Sequence, residues 1–353
     1  MKLTVLSVAY PFAPVGPDAV GGAEQVLSML DRALVATGHR SIVIAQEGSR
    51  ASGPLIPIPV ERGVIDQVAR DRAHRLQRVA IQDALERWPI DLIHMHGHDF
   101  NNCLPPPGPP VLVTLHVPVE WYAPEVFHLA RPHTFLHCVS ATQRRAFPPH
   151  FQLLPDIENG VDCNPLATGA RKRLFAISLG RICAEKGFHL ALDAARQAAV
   201  PFLLAGEVFP YEAHQQYFQE EIAPRLDRLR QFIGRVGFHR KQRLLAAARC
   251  LLAPSLVAET SSLVAMEALA GGTPVIAFPS GALAEIVEHG KTGFLVRNAF
   301  EMAEAIRALD LLKPEDCRRA ARERFSAERT VHRYLNLYQQ LVMQKEPVLS
   351  TAF

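Results

Sequence analysis

The stretch that decides the fold spans residues 254–278 and reads PSLVAETSSLVAMEALAGGTPVIAF. Its middle, Leu263–Ala270, consists almost wholly of strong helix formers. Ser261 or Ser262 can cap the start of this helix, and Gly271 can end it. Because apolar residues lie on both sides, the pattern predicts a strand, a loop, a short helix and another strand. This succession is typical of a parallel α/β sheet.

The first turn of this helix is predicted to bind an anion. Whichever serine is the cap, position N3 is Val264 or Ala265, so no glutamate folds back onto the first amides as in a capping box. Open amides at a helix N-terminus suit phosphate. Glu259 precedes the helix and Glu267 lies within it, which suits a ligand combining phosphate with sugar hydroxyls. The alternative is a capped helix with two solvated acids.

Composition restricts the class of protein. The 353 residues suggest two domains, and 48% hydrophobic with 21% charged residues is ordinary for a globular chain. A net charge of +3 without a dense basic run does not indicate nucleic acid. The six cysteines have no paired spacing, which argues against a disulfide framework or a zinc knuckle and favours a reducing cytoplasm. They are Cys103, Cys138, Cys163, Cys183, Cys250 and Cys317.

No segment of the sequence predicts a membrane span. Residues 3–10 are apolar, but the run is short and no clear cleavage site follows, so a buried first strand explains it better than a signal peptide. No apolar run approaches the ~20 residues that a span needs. We find no strongly basic amphipathic helix, so peripheral membrane contact is not required but stays open.

Strands and helices alternate along the first half of the chain. Residues 3–8 read as a buried parallel strand, and a glycine loop ending at Gly21 and Gly22 leads into a helix over residues 23–36. The loop lets backbone approach a ligand, although it is not the G-x-G-x-x-G of dinucleotide-binding proteins. His116 follows the strand 111–115, at the strand end where open α/β sheets bind ligands. A core histidine is the alternative.

Three histidines at alternate positions raise the question of a metal site. His94, His96 and His98 would point to one side of a strand, but the strand is predicted to end near His96. No cysteine or further ligand lies at a useful spacing. We therefore favour packing at the strand end, with one histidine facing a ligand, over a metal centre.

The alternation restarts after residues 163–172, which are the best linker candidate. Two successive sets of strands and helices predict two doubly wound Rossmann-like domains facing a cleft. We place the first at residues 1–163 and the second at residues 164–326. The last helix, Ala327–Met343, has an apolar face that needs a packing surface, and we expect it to return to the first domain.

An ordered set of motifs resembles family 4 of the retaining, nucleotide-sugar-dependent glycosyltransferases, which have the GT-B fold. The set comprises GGAE at residues 21–24, His116, ENGVD at residues 158–162, GRICAEKG at residues 180–187, Glu259-x7-Glu267 and GALAEIVEHGKTGFLV at residues 281–296. The resemblance covers nearly the whole chain. It implies a hexosyltransferase of EC class 2.4 that transfers a sugar from a nucleoside diphosphate-sugar to an acceptor hydroxyl, with no cofactor and no metal.

The resemblance implies four catalytic residues. Arg181 and Lys186 would hold the diphosphate and offset charge on the leaving nucleotide, roles that suit a forked guanidinium and a point charge. Glu259 would contact the donor sugar hydroxyls. His116 would lie near the reaction centre. In the alternative reading Arg181 and Lys186 are simply solvated.

The resemblance also implies the donor-binding residues. Gly22 would bring its amide to the diphosphate while Gly21 permits the turn, and Glu267 would bind the ribose. Backbone near Val236 would meet the base. The amides of the first helical turn would meet the phosphates or the sugar; they are those of Ser262, Leu263 and Val264.

One departure from the family and three rival functions remain. Serines stand at positions 261 and 262, where the family commonly has an aromatic residue and glycine, which puts the identity of the donor sugar in doubt. A glycoside hydrolase using Glu259 and Glu267 would leave Arg181 and Lys186 without a role. The missing fingerprint disfavours a nicotinamide-dependent oxidoreductase. A catalytically silent nucleotide-sugar-binding protein is the third rival. The acceptor, whether glycan, lipid-linked or small molecule, and the oligomeric state are not predicted.

Overall fold

The computed structural model describes residues 1–148, 152–163 and 172–343. The chain divides into two compact units: unit 1 comprises Met1–Glu158 and the chain from Thr330 onward, and unit 2 comprises Asn159–Arg329. Each unit is a Rossmann-like α/β domain built on its own parallel sheet. The linker predicted at residues 163–172 lies almost entirely outside the described residues and stays a prediction.

Unit 1 contains a seven-stranded sheet whose central strands are almost wholly buried and mostly apolar. All its neighbouring strands pair in parallel, in the order β3-β2-β1-β4-β5-β6-β7. The strands are β1 Thr4–Val8, β2 Arg40–Gln46, β3 Leu55–Ile58, β4 Leu92–Met95, β5 Val111–Leu115, β6 Thr134–Cys138 and β7 Leu153–Leu154. The helices within Met1–Glu158 are α1 Gly22–Ala36, α2 Gln67–Arg87 and α3 Ala141–Ala146.

Unit 2 contains a six-stranded parallel sheet in the order β10-β9-β8-β11-β12-β13. Its strands are β8 Ala176–Arg181, β9 Phe202–Glu207, β10 Arg230–Phe232, β11 Cys250–Ala253, β12 Val275–Ala277 and β13 Gly293–Leu295. Its helices are α4 Phe188–Gln197, α5 Glu212–Tyr217, α6 Phe238–Ala247, α7 Leu263–Ala270, α8 Leu283–Ile286, α9 Ala299–Arg307 and α10 Pro314–Arg324. The final helix of the described chain is α11 Ala327–Met343.

Helix α11 joins unit 1 through two buried tyrosines. The hydroxyl of Tyr338 lies 2.7 Å from Nδ1 of His94, and the hydroxyl of Tyr334 lies 3.3 Å from Oγ1 of Thr114. Both rings are fully buried. The apolar face of α11, for which the sequence predicts a packing surface, therefore packs on the sheet of unit 1.

Several element boundaries differ from those predicted. Apolar runs in the sequence predict strands over residues 232–236 and 151–157. The first corresponds to β10, which ends at Phe232, and among the described residues of the second only Leu153–Leu154 pairs in the sheet. The sequence also predicts a polar helix over residues 211–230; the structure has α5 there, followed by short helical turns at Phe218–Ile222 and Ala223–Arg225. Strand β3 was not predicted, because Pro57 interrupts its apolar pattern; a proline is tolerated there since β3 is an edge strand.

The six cysteines are all free thiols. Among the described residues, no helix is both long and apolar enough to cross a membrane.

Candidate functional site

The carboxyl ends of the central strands of unit 2 bring together Lys186 and Glu259. Lys186 belongs to the loop after β8 and Glu259 to the loop after β11, and these two strands are neighbours in the sheet. The Lys186 Nζ atom lies 2.5 Å from Oε1 of Glu259, and both side chains are largely shielded from solvent, with 28% and 13% exposed. Two oppositely charged groups predicted to bind one donor are thus already in contact.

The loop that carries Lys186 is held against the loop after β11 by close backbone packing. Gly187 has a left-handed backbone, with φ +63°, and a Cβ atom there would lie 2.2 Å from the carbonyl oxygen of Pro254. The Leu256 amide donates a 2.8 Å hydrogen bond to the carbonyl of Glu185. Glycine at 187 is therefore needed for both the turn and the contact.

A second glycine holds the loop that carries Glu259. Gly281 also has a left-handed backbone, with φ +60°, and a Cβ atom there would lie 2.2 Å from the Glu259 carbonyl oxygen. That carbonyl accepts a 2.7 Å hydrogen bond from the Ala282 amide, and the Ser280 hydroxyl donates a 2.7 Å bond to the carbonyl of Val257. The loop after β12 thereby fixes the backbone position of Glu259.

Helix α7 begins beside this loop, as predicted, at Leu263. The side chain of its N-cap residue Ser262 makes no capping hydrogen bond, and the preceding Ser261 hydroxyl oxygen is buried without a partner among the described residues. The helix therefore presents its first amides uncapped by a side chain, an arrangement suited to an anion. The bounds predicted for this helix from sequence, Leu263–Ala270, are confirmed.

Glu267 on α7 is paired with a lysine that the sequence analysis missed. The Nζ atom of Lys241, on α6, lies 2.6 Å from Oε1 of Glu267, and only 14% and 13% of the two side chains are exposed. The residues are 26 positions apart on different helices, so no local spacing could have predicted the contact. The packing of α6 against α7 creates it.

The other predicted residues of unit 2 lie at the same edge of its sheet. Arg181 is the last residue of β8 and is exposed. Val236 follows the end of β10 and precedes α6. The amides of Leu263 and Val264 belong to the first turn of α7. Their predicted roles toward a donor remain predictions.

The predicted residues of unit 1 also follow strands of a parallel sheet. Gly21 is the N-cap of α1 and Gly22 its first residue. The expectation that Gly21 permits the turn is wrong, because its φ of −80° is open to any residue. A Cβ atom at position 21 would lie 1.9 Å from Oε2 of Glu24, so a larger residue there requires the end of the Glu24 side chain to move.

His116 follows β5 and contacts a second histidine. Its Nε2 lies 3.0 Å from Nδ1 of His96, and the two rings stack with centroids 5.3 Å apart. Burial, followed by the nearby His137, lowers the pKa of His116 to about 3. The ring is therefore neutral near pH 7 and would act through hydrogen bonds.

The three alternate histidines do not converge as metal ligands. Both ring nitrogens of His94 are engaged, Nδ1 with the Tyr338 hydroxyl and Nε2 with Oγ1 of Thr114 at 2.7 Å. His96 pairs with His116, and the His98 ring packs on Tyr10 with centroids 4.9 Å apart. The packing role favoured from the sequence therefore holds for His94, which is part of the core of unit 1.

Family comparisons identify both units. Residues 20–164 match the model for Glycosyltransferase Family 4, and residues 173–310 match the model for group 1 glycosyl transferases. The chain belongs to glycosyltransferase family 4. Together the two matches cover the sites of both units, from the glycine loop before α1 to the loop after β13.

Relatives of this glycosyltransferase span nearly its full length. It is 25% identical to the glycogen synthase of Mycobacterium tuberculosis over 93% of this chain and 91% of that protein. Its fold matches the sucrose-phosphate synthase of Thermosynechococcus elongatus with a TM-score of 0.78 at 20% identity, covering 96% and 99% of the two chains. HepE of Anabaena in complex with UDP-glucose gives a TM-score of 0.73 at 19% identity, covering 96% and 100%. The glycosyltransferase thus has the GT-B fold that its motifs implied.

Proposed function

We propose that this glycosyltransferase transfers a hexosyl group from a nucleoside diphosphate-sugar to an acceptor hydroxyl with retention of anomeric configuration. The Lys186–Glu259 pair beside the uncapped start of α7 carries the proposal. A diphosphate at this edge offers oxygens to Lys186, and the attached sugar offers hydroxyls to Glu259. One donor molecule therefore binds both Lys186 and Glu259 when it separates the two side chains.

The proposed chemistry is departure of the nucleoside diphosphate. As the glycosidic bond breaks, electron density moves to the phosphate oxygen, where Arg181 and Lys186 stabilise it. The amides of Leu263 and Val264 add the positive end of α7. An oxocarbenium-like centre develops on the sugar, and the acceptor oxygen attacks from the face that the leaving group vacates. The proton of the acceptor hydroxyl passes to the departing phosphate oxygen. These protein cations supply the charge that a metal ion supplies in other transferases, so we propose no cofactor.

The second ion pair fits the nucleoside part of the donor. Oε1 of Glu267 is engaged by Lys241. We assign its Oε2 to a ribose hydroxyl, because a carboxylate accepts more than one hydrogen bond. Lys241 would keep this carboxylate ionised and oriented. Backbone near Val236 would contact the base.

For unit 1, Gly22 and His116 keep the roles implied by the family resemblance. The Gly22 amide is proposed to approach the diphosphate. His116, neutral because burial depresses its pKa, is proposed to hydrogen-bond near the donor sugar. We propose that loops of unit 1 select the acceptor, which can be a glycan, a lipid-linked compound or a small molecule.

A thermal-shift screen tests donor binding first. UDP, GDP, ADP and TDP are each added alone and as common sugar conjugates, starting with UDP-glucose because HepE was solved with it. A nucleotide that binds only the folded state stabilises it by ~2.7 kcal/mol at a hundredfold excess over its Kd. A shift with one diphosphate supports the proposal and names the donor class. No shift with any of them, from folded protein, overturns it.

Turnover separates an enzyme from a silent binder. The selected donor is incubated with the protein and candidate acceptors, and release of the diphosphate is followed. Slow donor hydrolysis by water would already demonstrate catalysis without a known acceptor. Product NMR then reads the anomeric configuration. Tight donor binding without any release would favour the silent-binder alternative, and an inverted product would overturn retention.

A further inference from the structure

Three side chains with metal-binding atoms converge beside the loop that carries Arg181 and Lys186. Each of these side chains offers one ligand atom, and the three atoms lie within 4.8 Å of one another; the residues are Cys183, Glu185 and His214. Among the described residues, no other group of three or more such side chains comes together so closely. None of the three has a role in the proposed transfer.

Two different elements supply the three side chains. Cys183 and Glu185 lie in the turn that follows β8, and His214 lies on α5. The Cys183 thiol is buried and shares a side-chain hydrogen bond with Glu185. A ligand at this point would connect the turn to the helix.

His214 provides an independent sign that a partner belongs here. Its Nδ1 atom is buried, and among the described residues it has no hydrogen-bond partner. Buried polar atoms in native proteins are nearly always paired, so an orphaned ring nitrogen calls for an explanation. An imidazole nitrogen with a free lone pair is also the commonest protein ligand for transition metals.

We propose that Cys183, Glu185 and His214 bind a zinc ion. Sulfur, imidazole nitrogen and carboxylate oxygen are the zinc ligand types, whereas Mg²⁺ and Ca²⁺ prefer oxygen alone. Ligand atoms around tetrahedral zinc are separated by roughly 3.3–3.8 Å, given bonds of about 2.0–2.3 Å. Atoms now within 4.8 Å reach that spacing by small side-chain rotations.

The coordination is open at the fourth position. Three protein ligands leave one place for water, and zinc displaces the proton of a coordinating thiol. The ion links the turn after β8 to α5 and so restrains the segment between Arg181 and Lys186. Zinc binding at this site does not depend on the proposed transferase function, and the ion is not a participant in sugar transfer.

Cobalt titration of the metal-free full chain tests the site. Co²⁺ bound by a thiolate gives an intense ligand-to-metal charge-transfer absorption, which zinc then abolishes by displacement. We expect this absorption to saturate at one cobalt per chain. Elemental analysis after zinc loading and gel filtration should also give one zinc per chain.

Matched variants assign the signal to these residues. Cys183→Ser should abolish the sulfur charge-transfer absorption, and His214→Ala should weaken cobalt binding at least tenfold. The controls Cys163→Ser, at a half-buried thiol in unit 2, and His239→Ala should bind as wild type. Should Cys183→Ser fail to fold by circular dichroism, His214→Ala and Glu185→Gln carry the test.

Two outcomes would overturn the proposal. The first is no thiolate–cobalt absorption in folded wild-type protein. The second is an absorption that survives unchanged in His214→Ala and Glu185→Gln, because the metal would then be bound elsewhere. Loss of donor binding or turnover in a separate experiment would leave this result unaffected.

Discussion

Lys186 and Glu259 are joined by a 2.5 Å ion pair although they lie 73 positions apart in the chain. The pair neutralises, in the free protein, the cation and the carboxylate that the proposed mechanism assigns to the diphosphate and the sugar. Donor binding must therefore separate two charges that stabilise each other. Selectivity follows, because a ligand that satisfies only one of them leaves the other unpaired in a shielded position.

Replacing Lys186 is expected to remove most of the catalysis while preserving the fold. Lys186→Ala deletes a cation that is needed most when the leaving diphosphate gains charge, so kcat should fall by about 10²–10³-fold. Steady-state donor turnover measures the loss, and circular dichroism checks folding. Lys291→Ala, which removes an exposed lysine paired with Glu288, is the matched control and should keep wild-type kcat. Full activity in Lys186→Ala would refute the site.

The Lys241–Glu267 pair predicts a separate effect on donor binding. Glu267→Ala should abolish detectable transfer, because the ribose loses its proposed acceptor and Lys241, with 14% of its side chain exposed, loses the carboxylate that it contacts. Lys241→Met should raise the donor Kd by about tenfold, since Glu267 loses its orientation but keeps its carboxylate.

A double-mutant cycle distinguishes a positioning role for Lys241 from independent contacts. Isothermal titration of donor into Lys241→Met, Glu267→Gln and the double variant gives the coupling free energy. We expect at least 1 kcal/mol, because the two side chains are in contact. Additive losses in the double variant would show that Lys241 does not act through Glu267.

Gly281→Ala should damage the site through the backbone. A methyl group there meets the carbonyl oxygen and amide nitrogen of Glu259 at 2.2 and 2.5 Å, so the loop that carries Glu259 must shift. We expect a loss of stability of roughly 1–3 kcal/mol and weaker donor binding. Gly290→Ala is the matched control, because φ is also positive, +74°, but among the described residues nothing lies within 4 Å of the new methyl group.

Urea unfolding and donor titration of both glycine variants measure these effects. Both substitutions carry the cost of a left-handed backbone, so the difference between them reports the contact with Glu259. Equal losses in the two variants, with donor affinity unchanged, would contradict the proposed function of Gly281.

Local patterns were sufficient to predict α7 and α11 to the residue. Helix α7 lies between serines and two glycines, and α11 has a strong apolar face, so each is specified by its own stretch of sequence. The edge strand β3 was missed because its pairing with β2, and not its composition, makes it a strand. Contacts between distant residues, such as Lys241 with Glu267, depend on helix packing that no local spacing encodes.

The resemblance led to the residues of the site but not to their partners. The motif Glu259-x7-Glu267 pointed to two carboxylates, and each proved to be paired with a different lysine. Gly281 entered only as part of a longer matching segment. Its contact with the Glu259 backbone arises because the loops after β11 and β12 lie side by side in the folded chain.

Chelation is expected to leave transfer unimpaired. Arg181 and Lys186 provide the positive charge in the proposed mechanism, so EDTA should not lower the initial rate of donor turnover. Removal of zinc from the cluster at Cys183 should not lower it either, because that ion is not assigned a chemical step. A rate that fell with EDTA and recovered with one divalent ion would contradict the metal-independent mechanism.

The stability of unit 1 should decrease in mild acid. Burial lowers the pKa of His137 to about 4, although its bond to the carbonyl of Cys138 favours the protonated form; the pKa of the same group in an unfolded chain is about 6.5. Between these two values the unfolded chain binds more protons than the folded one. Stability is therefore fully present above pH 6.5 and is lost as the pH falls toward 4. For this group the loss is on the order of 3 kcal/mol.

Urea unfolding of the wild type and of His137→Asn between pH 7.5 and about 4 measures the contribution of this residue, with unit 1 followed by the fluorescence of Trp88 and Trp121. The variant is expected to be less stable at neutral pH, because Thr114 loses a 2.7 Å partner, but to show a shallower decline in acid. His133→Asn, at an exposed histidine, should keep the wild-type slope. Parallel pH profiles in wild type and His137→Asn would mean that His137 is not the group whose protonation opposes folding. The residues to substitute next would then be His94, His96 and His116, whose pKa values are also lowered by burial.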